Sequence, residues 1–348
     1  MYITLDEYQK IFHWEGRQWF RDCVVRTRDI LYFVTTPEYS EEQMTEEEEN
    51  EWNPDLRPKA ILLFHRSQEA GKQWSGSAKS GWQPMVLGAS LKPAGHSVSI
   101  EMAPTFPSMA HKCHVQGSGQ AYDDKPLEGG FVRGAIGHMK MIDGWLYACT
   151  GNRGFGKRLG KGKWQSFSEH FPETENDCGF EDFDAFNERD IYLVGGRGDV
   201  WHFDGKKARQ IPIPTNINLR TVCCGGDGEV YISGLNGKTF HGRGDRWEKV
   251  GNKEQYEDPS TLSFRDMVWY GGKVWATNDY GLWVIENNTI NEADVPDWVR
   301  DCSGDLSVGD GVLLLSGISG AVFREDGEWH KIVIFQEMEE LLNAKKGG

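Results

Sequence analysis

Beyond residue 110 one short phrase recurs six times: an apolar strand, a tight turn closing on glycine, and a second apolar strand. The copies close on Gly119, Gly154, Gly198, Gly237, Gly281 and Gly320, 35 to 44 residues apart. Glycine supplies the positive φ that a primed hairpin turn requires, and the flanking β-branched and aromatic residues favour a pleated surface. A period of this length belongs to propeller blades or solenoids. No helical stretch separates the short strands, so the pattern predicts a radial array of small antiparallel sheets, an all-β β-propeller.

Two further recurrences mark the blade boundaries. An apolar residue followed by arginine precedes the inner apolar run at Phe20-Arg21-Asp22, Val132-Arg133-Gly134, Leu219-Arg220-Thr221, Phe264-Arg265-Asp266 and Val299-Arg300-Asp301, with Glu181-Asp182 in the fourth blade. Ser80-Gly81-Trp82, Gly162-Lys163-Trp164, Asp245-Arg246-Trp247 and Gly327-Glu328-Trp329 introduce a short last strand. Four strands per blade follow, in seven blades at about 20–88, 95–129, 131–170, 180–214, 219–250, 262–295 and 299–335, with six or eight blades as alternatives. The propeller is thus placed at 20–335, after an N-terminal segment 1–19 and before a C-terminal tail 336–348. Ile11 to Trp19 reads as a strand, a Glu15-Gly16 turn and a last strand that could close the ring, and Met338, Leu341 and Leu342 read as a terminal helical turn.

Charge bounds the partners. The chain carries 53 acidic and 38 basic residues, a formal net charge of −15, which argues against a nucleic-acid-coating role and for a basic protein partner. Much of the acid is concentrated at 38–58, an insertion where other blades have a tight turn: Glu46, Glu47, Glu48, Glu49 and Glu51 beside Trp52. Such a block is either a solvated loop or an acidic arm with an apolar anchor, and these six residues are the partner-binding candidates. Met1 to Trp14 is interrupted by Asp6, Glu7 and Lys10, and no apolar run reaches membrane length. Seven cysteines without a close CxxC pair suggest free thiols, so a cytoplasmic location without membrane contact is expected. The adjacent Cys223 and Cys224 read as opposite faces of an inner strand.

In a propeller the connection into the innermost strand and the turn between second and third strands share a face. Arg21, Arg133, Arg220, Arg265 and Arg300 are therefore expected around the channel mouth, on the face of the acidic insertion. They form either ion pairs with the following aspartate or a neighbouring blade, or an anion-recognition ring. Gly151 to Arg158 matches most of a phosphate-binding loop but places Arg158 where a hydroxyl belongs, and it crosses a hairpin where strand-to-helix geometry is needed. It reads as a basic hairpin with the cluster Arg153, Lys157, Arg158, Lys161 and Lys163. His111, Cys113 and His114 are split between strand faces, so no metal, cofactor or catalytic residue is assigned.

The closers Asp326-Gly327-Glu328-Trp329 and Gly244-Asp245-Arg246-Trp247 resemble the Asp-box repeat of neuraminidase-like propellers, and more broadly the WD-repeat and YVTN-like superfamily. A neuraminidase resemblance implies an arginine triad gripping a carboxylate, and Phe20-Arg21 and Phe264-Arg265 are similar to part of its first arginine motif. The full Ser-x-Asp-x-Gly-x-Thr-Trp box is absent, and no tyrosine and glutamate pair can be placed. A lone acidic propeller with 14 tryptophans also resembles the stand-alone propellers that act as immunity proteins, covering the basic active face of a nuclease-like toxin. That resemblance implies a non-catalytic inhibitor; the alternatives are an enzyme acting on an anionic glycan and an assembly chaperone.

Overall fold

The chain folds into seven four-stranded antiparallel sheets, each ordered as a simple meander. The computed structural model describes residues 1–13, 18–37, 58–104, 110–117, 120–124, 130–174, 179–251 and 263–347. Every blade is built from consecutive chain, β1–β4 in the first through β25–β28 in the last, so among the described residues no strand is exchanged across the ring. The innermost strands are β1 (Gln18–Thr27), β5 (Met85–Ser90), β9 (Ile136–Ile142), β13 (Phe180–Asn187), β17 (Leu219–Cys224), β21 (Asp266–Tyr270) and β25 (Asp305–Gly309). Seven blades, not six or eight, close the propeller.

The apolar residues segregate into seven clusters, one wedged into each seam between neighbouring blades. Between the third and fourth blades, for example, Tyr147, Phe155 and Phe167 meet Phe183, Leu193 and Phe203. Such alternation follows from two-sided burial: each blade packs on both faces, so its strands read as nearly continuous apolar runs. Cys223 and Cys224 divide in this way, Cys223 against Phe264 and Met267 and Cys224 against the Tyr192 cluster.

The recurrent glycines close the turns joining second and third strands. Gly198 sits at φ +73, where a Cβ would lie 2.2 Å from the Thr215 carbonyl oxygen, and Gly320 at φ +147 would meet the Val333 oxygen at the same distance. Two phrases fall elsewhere than expected. Gly119 lies outside the described residues, and the Gly117 to Gln120 pairing shows that its connection joins the third and fourth strands of the second blade. Trp82 follows the last strand of the first blade, which instead opens on Trp74 (β4, Trp74–Lys79).

The ends of the chain differ more. Leu5–Phe12 is a helix, α1, where a strand was expected from Ile11. Thr4 and Glu7 form a reciprocal capping box that satisfies its first amides. Near the C-terminus a four-residue helix, α2 (Asp297–Arg300), precedes the last blade, and α3 (Phe335–Gly347) follows it. Tyr8 and Phe12 of α1 and Phe335, Met338 and Leu342 of α3 share one core with Phe20, Phe33 and Trp74 of the first blade and Leu314 and Phe323 of the last. The Tyr8 hydroxyl donates to Glu339 at 2.7 Å. Among the described residues no helix is long and apolar enough to cross a membrane.

Candidate binding face and axial channel

Each inner strand runs from an upper face, carrying the connections between blades and the second-to-third turns, to a lower face carrying the first-to-second hairpins. The recurring arginines lie at the upper end, and a backbone irregularity decides where they point. A bulge separates Phe20 from Asp22, and another Leu219 from Thr221, so Arg21 and Arg220 are extruded from the ladder and exposed. Glu181 is extruded the same way between Phe180 and Asp182, and Arg265 precedes β21 in the equivalent place.

Arg133 and Arg300 depart from that register. The third blade has Gly137 at the bulge, and the seventh has Gly304 before Asp305. Arg133 lies upstream, donating to the Phe171 carbonyl at 3.2 Å, and Arg300 ends α2. All five have partners within the chain. Arg21 donates to Thr36 at 3.0 Å and lies over the Trp19 ring. Arg133 is 3.7 Å from Glu173, Arg220 3.9 Å from Glu181 and Arg265 3.8 Å from Asp279, while Arg300 lies 3.0 Å from Glu292 and 3.1 Å from Asp297.

The aspartates that follow Arg21, Glu181 and Arg265 turn inward instead. Asp22 accepts from the Leu87 amide at 2.7 Å, Asp182 from Val222 at 2.9 Å, and Asp266 from Leu306 at 3.0 Å, each a backbone amide of the next blade. Asp184 repeats the contact one turn of the pleat below, to Cys224 at 2.7 Å. Lys140 enters this ring from β9, 2.9 Å from Asp182. It holds the Asp182 carboxyl below the usual range despite burial, and the carboxylates push its own ammonium pKa up. Burial raises the remaining carboxyls: Asp22 well above its ordinary value, Asp184 and Asp266 above theirs, and Asp305 to about 7. The lower channel is a cavity of about 390 Å³ lined by Asp22, Lys140, Asp184, Met267, Trp269 and Leu306, among others.

Other sequence candidates disperse. The basic hairpin spans a strand pair, with Arg153 held by Asp199 at 2.7 Å, Lys157 by Glu188, and Arg158 buried 3.5 Å from Asp124; Lys161 and Lys163 are exposed. His111 lies 2.7 Å from the Glu101 carbonyl and His114 2.7 Å from Asp123, while burial pushes the intervening Cys113 thiol up to about 12. Glu46, Glu47, Glu48, Glu49, Glu51 and Trp52 lie outside the described residues; their segment joins β2 (Ile30–Pro37) to β3 (Lys59–His65).

No protein-family model matches the chain. It is 30% identical over 223 residues to the immune protein Tsi7 of Pseudomonas aeruginosa, an alignment covering 62% of this chain and 71% of Tsi7. Among solved structures, the WD40 propeller domain of Doa1 superposes with a TM-score of 0.57 at 12% identity, covering 89% of this chain and 94% of that one. YCF48 from Cyanidioschyzon merolae does so with 0.56 at 9% identity, covering 89% and 95%. These two likenesses establish the propeller fold.

Proposed function

We propose a function from one premise: this chain belongs to the family of the Pseudomonas aeruginosa immune protein Tsi7. It acts as a non-catalytic immunity protein, binding a toxin and blocking it. The observation that carries the reading is the alignment to that immune protein over most of its length.

The finer reading is that the toxin domain is basic, nuclease-like at its active face, and met in the cytoplasm. Its support is electrostatic. A nuclease active face is positive because it meets phosphate, and a chain with net charge −15 complements it. The segment joining β2 to β3 carries Glu46, Glu47, Glu48, Glu49, Glu51 and Trp52, a dense acidic block in the sequence whose flanking strand ends lie on the upper side. Arg21, Arg133, Arg220, Arg265 and Arg300 serve as structural ion-pair and hydrogen-bond donors in this reading, consistent with their partners within the chain.

The test pairs the purified chain with the toxin encoded by the neighbouring gene, at two salt concentrations. Reversing Glu46, Glu47, Glu48 and Glu49 to lysine slows association more than it hastens dissociation and leaves the melting temperature unchanged. An unchanged association rate removes the acidic block from the mechanism. Turnover of a sialoside or another anionic glycan by the purified chain overturns the inhibitor reading itself.

A further inference from the structure

We propose that Tyr280 and Ile318, with the acidic segment between them, form the apolar anchor and charged rim that seat a basic toxin domain on the upper face. This rests on the immunity reading above and assigns the contact to the sixth and seventh blades.

The turn Asp279-Tyr280 is closed by the Asn278 to Gly281 pair, and Ile318-Ser319 by Gly317 and Gly320, at the same place in adjacent blades. Two-residue turns favour glycine, asparagine and aspartate, which tolerate their dihedrals or bond to the local backbone. The corresponding turns of the third to fifth blades are three residues long, 151–153, Gly196–Gly198 and Leu235–Gly237, with Asn152, Gly198 and Asn236 at positive φ and no apolar side chain as exposed as these two. Tyr280 is 66% exposed and Ile318 55%, so neither side chain is rewarded by burial in the fold. One exposed apolar residue needs no explanation; two on neighbouring tips of one face mark a contact surface.

The chain between the sixth and seventh blades joins these tips. A Cβ at Gly281 would lie 3.2 Å from Arg300 Cγ, and one at Gly317 would lie 2.6 Å from the Ser303 carbonyl oxygen. Glu292, Asp294, Asp297 and Asp301 are exposed along that connection. The Asp297 side chain is 90% exposed and that of Asp279, on the turn itself, 82%. Arg265, Arg300 and Lys331 are nearby cations; each arginine already faces one of these carboxylates, and Lys331, over the Trp298 ring, is paired with Glu337. The surplus is negative, which selects a positively charged protein and disfavours nucleic acid, an anionic membrane and a second copy of this chain.

The experiment measures association and dissociation of the toxin encoded by the neighbouring gene. Tyr280→Ala with Ile318→Ala speeds dissociation about tenfold or more, because a truncated anchor acts mainly on complex lifetime. Asp279→Lys with Asp297→Lys slows association several-fold at low salt and less at high salt. Leu91→Ala, removing an exposed side chain on the lower side, changes neither rate. Each variant's melting curve, unchanged from the parent, shows that the fold is intact. If the parent chain binds and both double variants keep its rates, this surface is wrong and the immunity reading stands. If the parent neither binds the toxin nor protects cells from it, the immunity reading fails and takes the surface with it.

Discussion

Lys140 fixes the charge state of the channel. Its ammonium lies 2.9 Å from Asp182, with His138 at 3.5 Å from the same carboxylate, and its charge also acts on Asp184 and Asp266. Lys140→Met leaves Asp182 without its ammonium partner, with only His138 beside it, and is expected to cost about 3–5 kcal/mol in urea unfolding, the usual range for breaking a buried pair from one side. Loss of less than about 1 kcal/mol would show that the aspartates are held by the inter-blade amides alone. Asp305 acts in the opposite sense. Its carboxyl is raised from 3.8 to about 7, so its contribution to stability is present at acid pH and lost as pH rises through about 7. Asp182, held below its ordinary value, contributes above that value and loses its contribution as pH falls through its folded pKa. Asp305→Asn should therefore raise the melting temperature at pH 8 and flatten its fall between about pH 4 and pH 7; an unaltered profile would refute the assignment. Of the inward aspartates only Asp22 and Asp266 stand in the sequence beside an arginine, and the role of the set was not legible there. The bulges at Arg21 and Arg220 shift the side-chain alternation by one residue, and that shift sends arginine outward and Asp22 or Thr221 inward. Glu181-Asp182, apparently the exception among the blade starts, follows the same geometry with an acid at the extruded place.

At the scale of elements, α1 and α3 clasp the seam between the first and last blades. Phe12 packs within 5.4 Å of both Trp74 and Phe335, ring centre to ring centre, and within 5.6 Å of Phe20. Phe12→Ala should cost about 3–5 kcal/mol, read from the urea midpoint at unchanged m-value. A cost near zero would mean that the helix is an ornament on a ring already closed. The turns were legible because Gly198, Gly237, Gly281 and Gly320 sit at a positive φ that other residues resist, and at Gly154 a Cβ would lie 2.2 Å from the Phe131 carbonyl oxygen. The helix was not read, although its marks were present in Thr4-x-x-Glu7 and in Tyr8 and Phe12 four residues apart. A single short helix has no repeat to reinforce it, and Ile11 to Trp19 alternates well enough to pass for a strand. Trp82 misled for a related reason: it packs into the first seam with Met85 and Leu87, so a blade-closing tryptophan and a seam tryptophan look alike in sequence.

At the scale of the whole molecule, closure depends on contacts between residues from opposite ends of the chain. The Val25 amide donates to Ser307 at 3.0 Å, the Arg28 amide to Asp310 at 2.9 Å, and Arg66 meets Glu325 at 2.7 Å. A chain ending at residue 300 loses all of these partners and leaves two blade faces uncovered. It should lack the cooperative near-ultraviolet circular dichroism transition of the full chain, and a retained sharp transition would show that six blades suffice. The inter-blade carboxylates carry one more consequence. The amides of Leu87, Val222, Cys224 and Leu306 bond to a neighbouring blade's side chain, so their protection from hydrogen–deuterium exchange is a gauge of the seam and not of their own sheet. Isotope uptake at these four positions, ahead of the ladder amides in the same strands, would register blades drawing apart while each stays folded, and so reveal whether the ring breathes at its joints before it unravels.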